Sequence, residues 1–180
     1  MAWSTFNRLV VPLIASVAAL LVAACDNAVM YKGDGKLVDN GIFAATDRYV
    51  LDLGPLDLSA KAARTYQIAN LPTESFVVGL ELTSSSKAPF GSHPLNPIVA
   101  IELQDATGKV LMRRNSPLKE WTWSVPSTNE WAFIYGEGAQ ETFFTPAPQS
   151  TLRLMVEVVR ADPTAEAYSS RLVAKTGGWK

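Results

Sequence analysis

The stretch TLRLMVEVVR, Thr151 to Arg160, alternates without a break, with Leu152, Leu154, Val156 and Val158 on one side and Arg153, Met155 and Glu157 on the other. Successive side chains of an extended backbone point to opposite faces, so a period of two marks a strand with one buried face. The same pattern returns along the chain. RYVLDLG sets Tyr49, Leu51 and Leu53 against Val50 and Asp52, and SFVVGLELT sets Phe76, Val78, Leu80 and Leu82 against Val77, Gly79 and Glu81. TYQIANLP alternates at Tyr66 and Ile68 before Asn70-Leu71-Pro72 breaks it. Beyond Thr46 no segment keeps an apolar stripe at helical spacing long enough to predict a helix.

PIVAIELQDATGKVLMRR reads as a hairpin, because Asp105 to Lys109 place turn residues between two apolar runs, with Gly108 at the position of positive φ. EWTWSV and EWAFIYG follow as aromatic strands, and YSSRLVAK closes the series before Gly177-Gly178-Trp179-Lys180. That makes eight or nine strands with turn signals between them and no helices in alternation. The pattern predicts an all-β fold: a single antiparallel β-sandwich over residues 46–180, jelly-roll or immunoglobulin-like, following an N-terminal signal helix.

Ahead of the strands lies a different kind of segment. From Leu9 to Ala24 there is no charged side chain, Arg8 is the one cation before that run, and small residues end it at the chain's single cysteine, Cys25. This is the layout of a secretory signal, and the run is too short for an ordinary membrane span. Val22, Ala23, Ala24 and Cys25, preceded by Leu20 and Leu21, resemble the lipobox of bacterial lipoproteins. The resemblance implies that Val22, Ala23 and Ala24 are read by the signal peptidase. It implies also that residues 1–24 are removed and that Cys25 is diacylated, usually gaining a further acyl chain such as palmitate on its new amine. One chain anchors marginally and two or three anchor stably, at about 0.8 kcal/mol per buried methylene. Asp26 and Asn27 follow the cysteine, and an acidic residue there resembles a retention signal for the inner membrane. The expected location is therefore the cell envelope, lipid-anchored and facing the periplasm, inner membrane favoured over outer.

Arg8 is the only charge among residues 1–24, so cleavage takes 16 basic and 17 acidic residues to 15 and 17, and the formal net charge from −1 to −2. Nucleic-acid binders cluster Lys and Arg on one face, and no such cluster appears, so no nucleic-acid partner is expected. Arg113-Arg114 is only a pair and reads as a solvated strand end or turn. Residues 25–45, rich in Gly, Asp, Asn and Lys, read as the lipidated N-terminus and a tether, with a short strand near Ile42. Asp34 and Asp39 lie in GDG and DNG, which suit turns better than a calcium loop.

Chemistry is sparsely supplied. With one histidine, His93, and its only cysteine in the lipobox, the mature chain has no Cys/His metal set or Cys-His nucleophilic pair. No G-x-S-x-G elbow accompanies Ser92 and His93. Glu120, Glu130, Glu137 and Glu141 could supply a glycosidase pair only if two of them met across a cleft. The expectation is a non-enzymatic protein without cofactor or metal.

The candidate binding residues are aromatic. Trp121 and Trp123 share one face of a strand, while Trp131, Phe133 and Tyr135 share one face of the next. Facing inward they are core; facing outward they are a platform for sugar rings or a partner protein. Polar Thr122 and Ser124 between the first two favour core there, whereas Ala132 and Ile134 allow the second strand to be covered on both sides. GEGAQETFFTPAPQ, with Phe143 and Phe144, is either a binding edge or a connection that plugs the core, and SSSKAPFGSHPLNP poses the same choice. The order of strands from PLDLSAKAARTYQIANLP to RLVAK resembles small β-sandwich domains of unknown function in envelope lipoproteins, which implies a fold and a compartment but no activity. The function expected is a binding module for an envelope protein, of the adaptor, assembly-factor or immunity type, with a glycan or peptidoglycan binder using exposed tryptophans as the alternative and a cell-wall hydrolase third.

Overall fold

The computed structural model describes residues 30–41, 47–84, 95–125, 131–137 and 141–176. The expected signal segment and its expected helix, Val22 to Asn27 with Cys25, the strand expected near Ile42, and His93 all lie outside the described residues. Two antiparallel sheets pack face to face into an all-β sandwich. The first sheet runs in the order β1 (Lys32–Gly33), β4 (Ala63–Ala69), β11 (Thr151–Arg160), β6 (Ile98–Asp105) and β7 (Val110–Pro117). The second runs β2 (Lys36–Asp39), β3 (Tyr49–Pro55), β12 (Tyr168–Thr176), β5 (Phe76–Ser84), β9 (Trp131–Tyr135) and β8 (Thr122–Ser124), with β10 (Phe143–Phe144) also on β5.

The strand order decides between the two sandwiches that the sequence leaves open. Among β3, β4, β5, β6, β7, β9, β11 and β12, taken in chain order, the sheets read first-eighth-third-sixth and second-seventh-fourth-fifth. That wrapping, in which most connections cross from one sheet to the other, is the jelly roll. Among the described residues, β2–β3, β6–β7 and β8–β9 are neighbours in both chain and sheet. The β6–β7 hairpin closes as the sequence predicts: Lys109 O accepts from Asp105 N at 3.0 Å, and Gly108 sits at φ +84°.

The extended segments put their alternating apolar residues where the period of two sends them. Leu152, Leu154, Val156 and Val158 from β11 join Val99, Ile101 and Leu103 from β6 on the inner face of the first sheet. Leu51, Leu53, Leu80, Leu82, Ile134, Leu172 and Ala174 meet them from the second, all at 5% exposure or less. Each such aliphatic side chain contributes roughly 1.5–3 kcal/mol on burial, which is why one-residue slips of register are excluded.

Two parts of the chain are more ordered than their composition suggests. The segment read as a tether contributes β1 and β2, so the sandwich begins at Lys32 rather than after residue 45. The turn between them carries the chain from an edge of one sheet to an edge of the other. Asp34 holds it, its N–H donating to Gln67 O at 2.8 Å while its Oδ2 accepts from Gln67 N at 2.7 Å. The Tyr31 hydroxyl donates to Asp34 O, and burial, then the Asp34 charge, pushes its pKa up to about 12. The second part is the loop expected over residues 136–149, which contains β10. Phe143 pairs with Val77 and Phe144 with Phe76, on the side of β5 that β9 occupies from Gly79 to Thr83. β9 and β10 are thus one interrupted strand, pinched where Thr142 N donates to Gly136 O at 3.1 Å and Gly136 N to Thr142 Oγ1 at 2.9 Å.

Candidate binding site

The aromatic residues singled out by sequence separate on folding. Trp121 is core, 4% exposed, with its indole N–H donating to Ser116 Oγ at 3.0 Å and its ring 4.9 Å from the Arg114 guanidinium carbon. Trp123 is half-buried against the same core and donates from Nε1 to Leu118 O at 3.1 Å. Phe144 is buried and stacks on Phe76 at 5.7 Å, the plug arrangement. These three offer no open platform.

The other two lie on the outer face of the second sheet. Trp131, Phe133 and Tyr135 point away from the sandwich core while Ala132 and Ile134 point into it, so β9 is covered on both sides. Phe133 and Tyr135 stack at 5.6 Å, Phe143 meets Tyr135 edge-on at 5.9 Å, and Val77 and Val173 complete this second apolar cluster. Trp131 is 37% exposed at its margin. Lys175 Nζ lies 4.9 Å from the Phe133 ring and 5.4 Å from the Trp131 ring.

A cavity of ligand size lies elsewhere, on the outer face of the first sheet. It is a groove of about 410 Å³ crossing β4, β11, β6 and β7. Register places Thr65, Met155, Glu102 and Arg113 in one row across the four strands, and Ala63, Glu157, Ala100 and Asn115 in the next. The groove forms because Ala63, Ala100 and Thr65 are small beside longer neighbours, leaving an apolar floor at Met155 and a polar rim. A second hollow of about 310 Å³, bordered by Gln67, Gln104 and Arg153, continues along the same face.

The rim is electrostatically organised. Arg113 Nε donates to Glu102 Oε2 at 2.5 Å, and Gln104 Nε2 donates to Glu102 Oε1 at 2.6 Å. The Arg113 hydrogen bond, then that of Gln104, holds the Glu102 carboxyl below the usual carboxylate range, and Glu102 in turn raises Arg113. Such a surface can hold an extended polar segment or a sugar by hydrogen bonds over a few apolar atoms. The pair Arg113-Arg114, read from sequence as a solvated strand end, splits across the sheet. Arg113 faces the groove, whereas Arg114 is buried, donating to Glu120 O at 2.9 Å over Trp121. Sequence reasoning missed the groove because its residues come from four separate segments, each reading only as a solvent-facing strand side.

Of the glutamates considered for acid catalysis, Glu137 accepts from Thr122 Oγ1 at 2.9 Å and Tyr135 OH at 3.1 Å, Glu120 and Glu141 are exposed, and Glu130 lies outside the described residues. Among the described residues no three His, Cys, Asp or Glu side chains come together as a metal site, and no helix is long and apolar enough to cross a membrane.

The strand order and the groove define a class: a jelly-roll sandwich with a polar-rimmed hollow across one sheet. Neither protein-family models nor curated proteins match the chain. Among solved structures, the crystal structure of a protein from Sulfurospirillum deleyianum is similar over 71% of this chain and 97% of that chain, at 8% identity and a TM-score of 0.47. At that distance the likeness assigns no activity.

Proposed function

We propose that the chain is a lipid-tethered binding module of the bacterial envelope, facing the periplasm, whose jelly roll takes an envelope protein partner in the groove of its first sheet. The observation that carries the reading is the lipobox at Val22-Ala23-Ala24-Cys25 followed, seven positions after the cysteine, by the first strand of a folded body. Two or three acyl chains on Cys25 supply stable attachment, and so short a connection keeps the body close to the bilayer. Asp26 and Asn27 favour the inner membrane. Burial of Trp121 and the hydrogen-bonded, half-buried Trp123 leave neither ring open to stack on a sugar, so the glycan alternative rests on Trp131, 37% exposed on the second sheet and away from the groove.

The test places a photo-cross-linking residue at Thr65, in the groove, or at Lys61, exposed and outside it, and irradiates intact cells. The expected result is an envelope protein joined at Thr65 and not at Lys61, in a membrane fraction. Equal labelling at the two positions, or none above that of an unrelated lipoprotein, overturns the groove as the binding surface.

A further inference from the structure

Lys175 occupies a place where a lysine is costly. It sits on β12 between β3 and β5, paired with Val50 on one side and Val77 on the other, and points to the outer face of the second sheet. Its side chain is only 6% exposed, and its ammonium is near the faces of Phe133 and Trp131. Two carboxylates flank it. Glu81 Oε1, from β5, is 3.0 Å from Nζ, and Asp47 Oδ2, two residues ahead of the start of β3, is 3.7 Å away. The three groups therefore come from two neighbouring strands and the segment leading into a third, and converge beside an aromatic wall. A buried ion pair of this kind adds little net stability compared with apolar residues of similar size. The arrangement supplies something else: an amine shielded from solvent, a carboxyl group 3.7 Å from it, and a second, partly exposed carboxylate able to move protons between them.

We propose that Lys175 and Asp47 condense into an intramolecular amide cross-link, Nζ to Cγ, with Glu81 as the proton relay. Glu81 takes a proton from the ammonium and passes it to Asp47, leaving a neutral amine beside a carboxylic acid. The nitrogen lone pair attacks Cγ and the new C–N bond forms. Glu81 then takes a second proton from nitrogen and delivers it to the departing hydroxyl, which leaves as water while the C=O bond re-forms. In sum an ammonium and a carboxylate become an amide and one water, and Glu81 ends as the carboxylate it began as. No oxidant or cofactor enters. In bulk water the balance opposes condensation, but groups brought to within about 3–3.5 Å in one folded site react as though at effective concentrations of about 10⁵ M or more, and Asp47 Oδ2 already stands 3.7 Å from Nζ. Burial, acting above all other influences, raises the Asp47 carboxyl from its ordinary value, which favours the acid form that the attack requires. The link would fasten the start of β3 to the last strand, closing most of the jelly roll into one covalent loop.

The experiment is tryptic mass spectrometry of the purified full chain with its Lys175→Arg and Glu81→Gln variants. A cross-link blocks cleavage after Lys175, so residues 37–48 should be recovered joined to residues 172–180, lighter than the sum of the two peptides by one water. That joined species should dominate in the unaltered protein, vanish in Lys175→Arg and fall at least tenfold in Glu81→Gln. Recovery of the two peptides separately from the unaltered protein, with cleavage after Lys175, overturns the proposal. An undiminished joined species in Glu81→Gln overturns the relay.

Discussion

Gly79 is the position where one added methyl group should be felt most. It lies in the middle of β5, opposite Tyr135 of β9 and Val173 of β12. A Cβ there would stand 2.4 Å from Ile134 O, 2.5 Å from Phe133 Cζ and 2.8 Å from Phe133 Cε2. The Phe133 ring lies across the glycine, a familiar way of covering the bare backbone that a glycine leaves in a sheet. A ring edge can yield, but Phe133 is fully buried and stacked on Tyr135, and the carbonyl belongs to the backbone of a partner strand. Overpacking of this kind costs about 1–3 kcal/mol, and the backbone obstacle argues for the upper half. Against it, alanine recovers about 0.5–1 kcal/mol by restricting the unfolded chain. The net expectation for Gly79→Ala is a loss of about 2 kcal/mol, which for a domain of this size lowers Tm by roughly 4–8 °C. Urea unfolding followed by tryptophan fluorescence, with thermal unfolding by circular dichroism, measures both. Adding Phe133→Leu should relieve the ring contact but not the carbonyl contact, so the double variant should lose less than the sum of the two single losses. A Gly79→Ala protein as stable as the parent, or more so, would refute the packing of ring and carbonyl on that glycine.

Other expectations follow from the same geometry. Trp121→Ala should cost about 3–5 kcal/mol in urea unfolding, because it empties a core position and strips Ser116 and Arg114 of a partner; a loss below about 1 kcal/mol would place the ring outside the core. Asp162 accepts from Asn96 N at 2.8 Å and caps the turn Pro163–Ala167 through Thr164 N at 3.0 Å. Burial pushes its carboxyl up, but these N–H donors and the Thr164 hydroxyl outweigh it and hold the carboxyl below the usual range. A depressed acid contributes stability above its unfolded pKa, about 3.9, and loses it as pH falls through the folded value. Asp162→Ala should therefore cost about 1 kcal/mol at pH 7, with the gap from the parent narrowing below pH 4; a gap independent of pH would remove the carboxylate from the account. Cys25→Ser should abolish palmitate labelling and release the protein from membranes, and unchanged labelling would refute the anchor.

Much of the fold can be read from residues whose neighbours in the sheet repeat their own pattern. Leu152 to Val158 needed no knowledge of partners, because a strand with one buried face is cheapest when every second residue is apolar. The β6–β7 turn was equally legible, since Asp105, Thr107 and Gly108 supply its hydrogen bonds and its positive φ locally. β1, β2 and β10 were not. Lys32–Gly33 and Phe143–Phe144 are two residues long and become strands only because Ile68, Ala69, Phe76 and Val77 offer their ladders to them. The aromatic faces were half legible. Thr122 and Ser124 pointed Trp123 inward, but nothing in EWAFIYG says which of two apolar faces meets the larger core.

By itself the chain's sequence determined the class of its secondary structure, the local turn at Gly108 and the placement of its single cysteine, in a motif resembling a lipobox, ahead of the strands. Those are properties of backbone period, turn chemistry and short contiguous motifs, which act over a few residues. Only tertiary structure decided the jelly-roll order, the groove built from β4, β11, β6 and β7, and the meeting of Lys175 with Asp47 and Glu81. Each of these joins residues tens of positions apart, and which strands become neighbours depends on how two whole sheets bury their inner faces together.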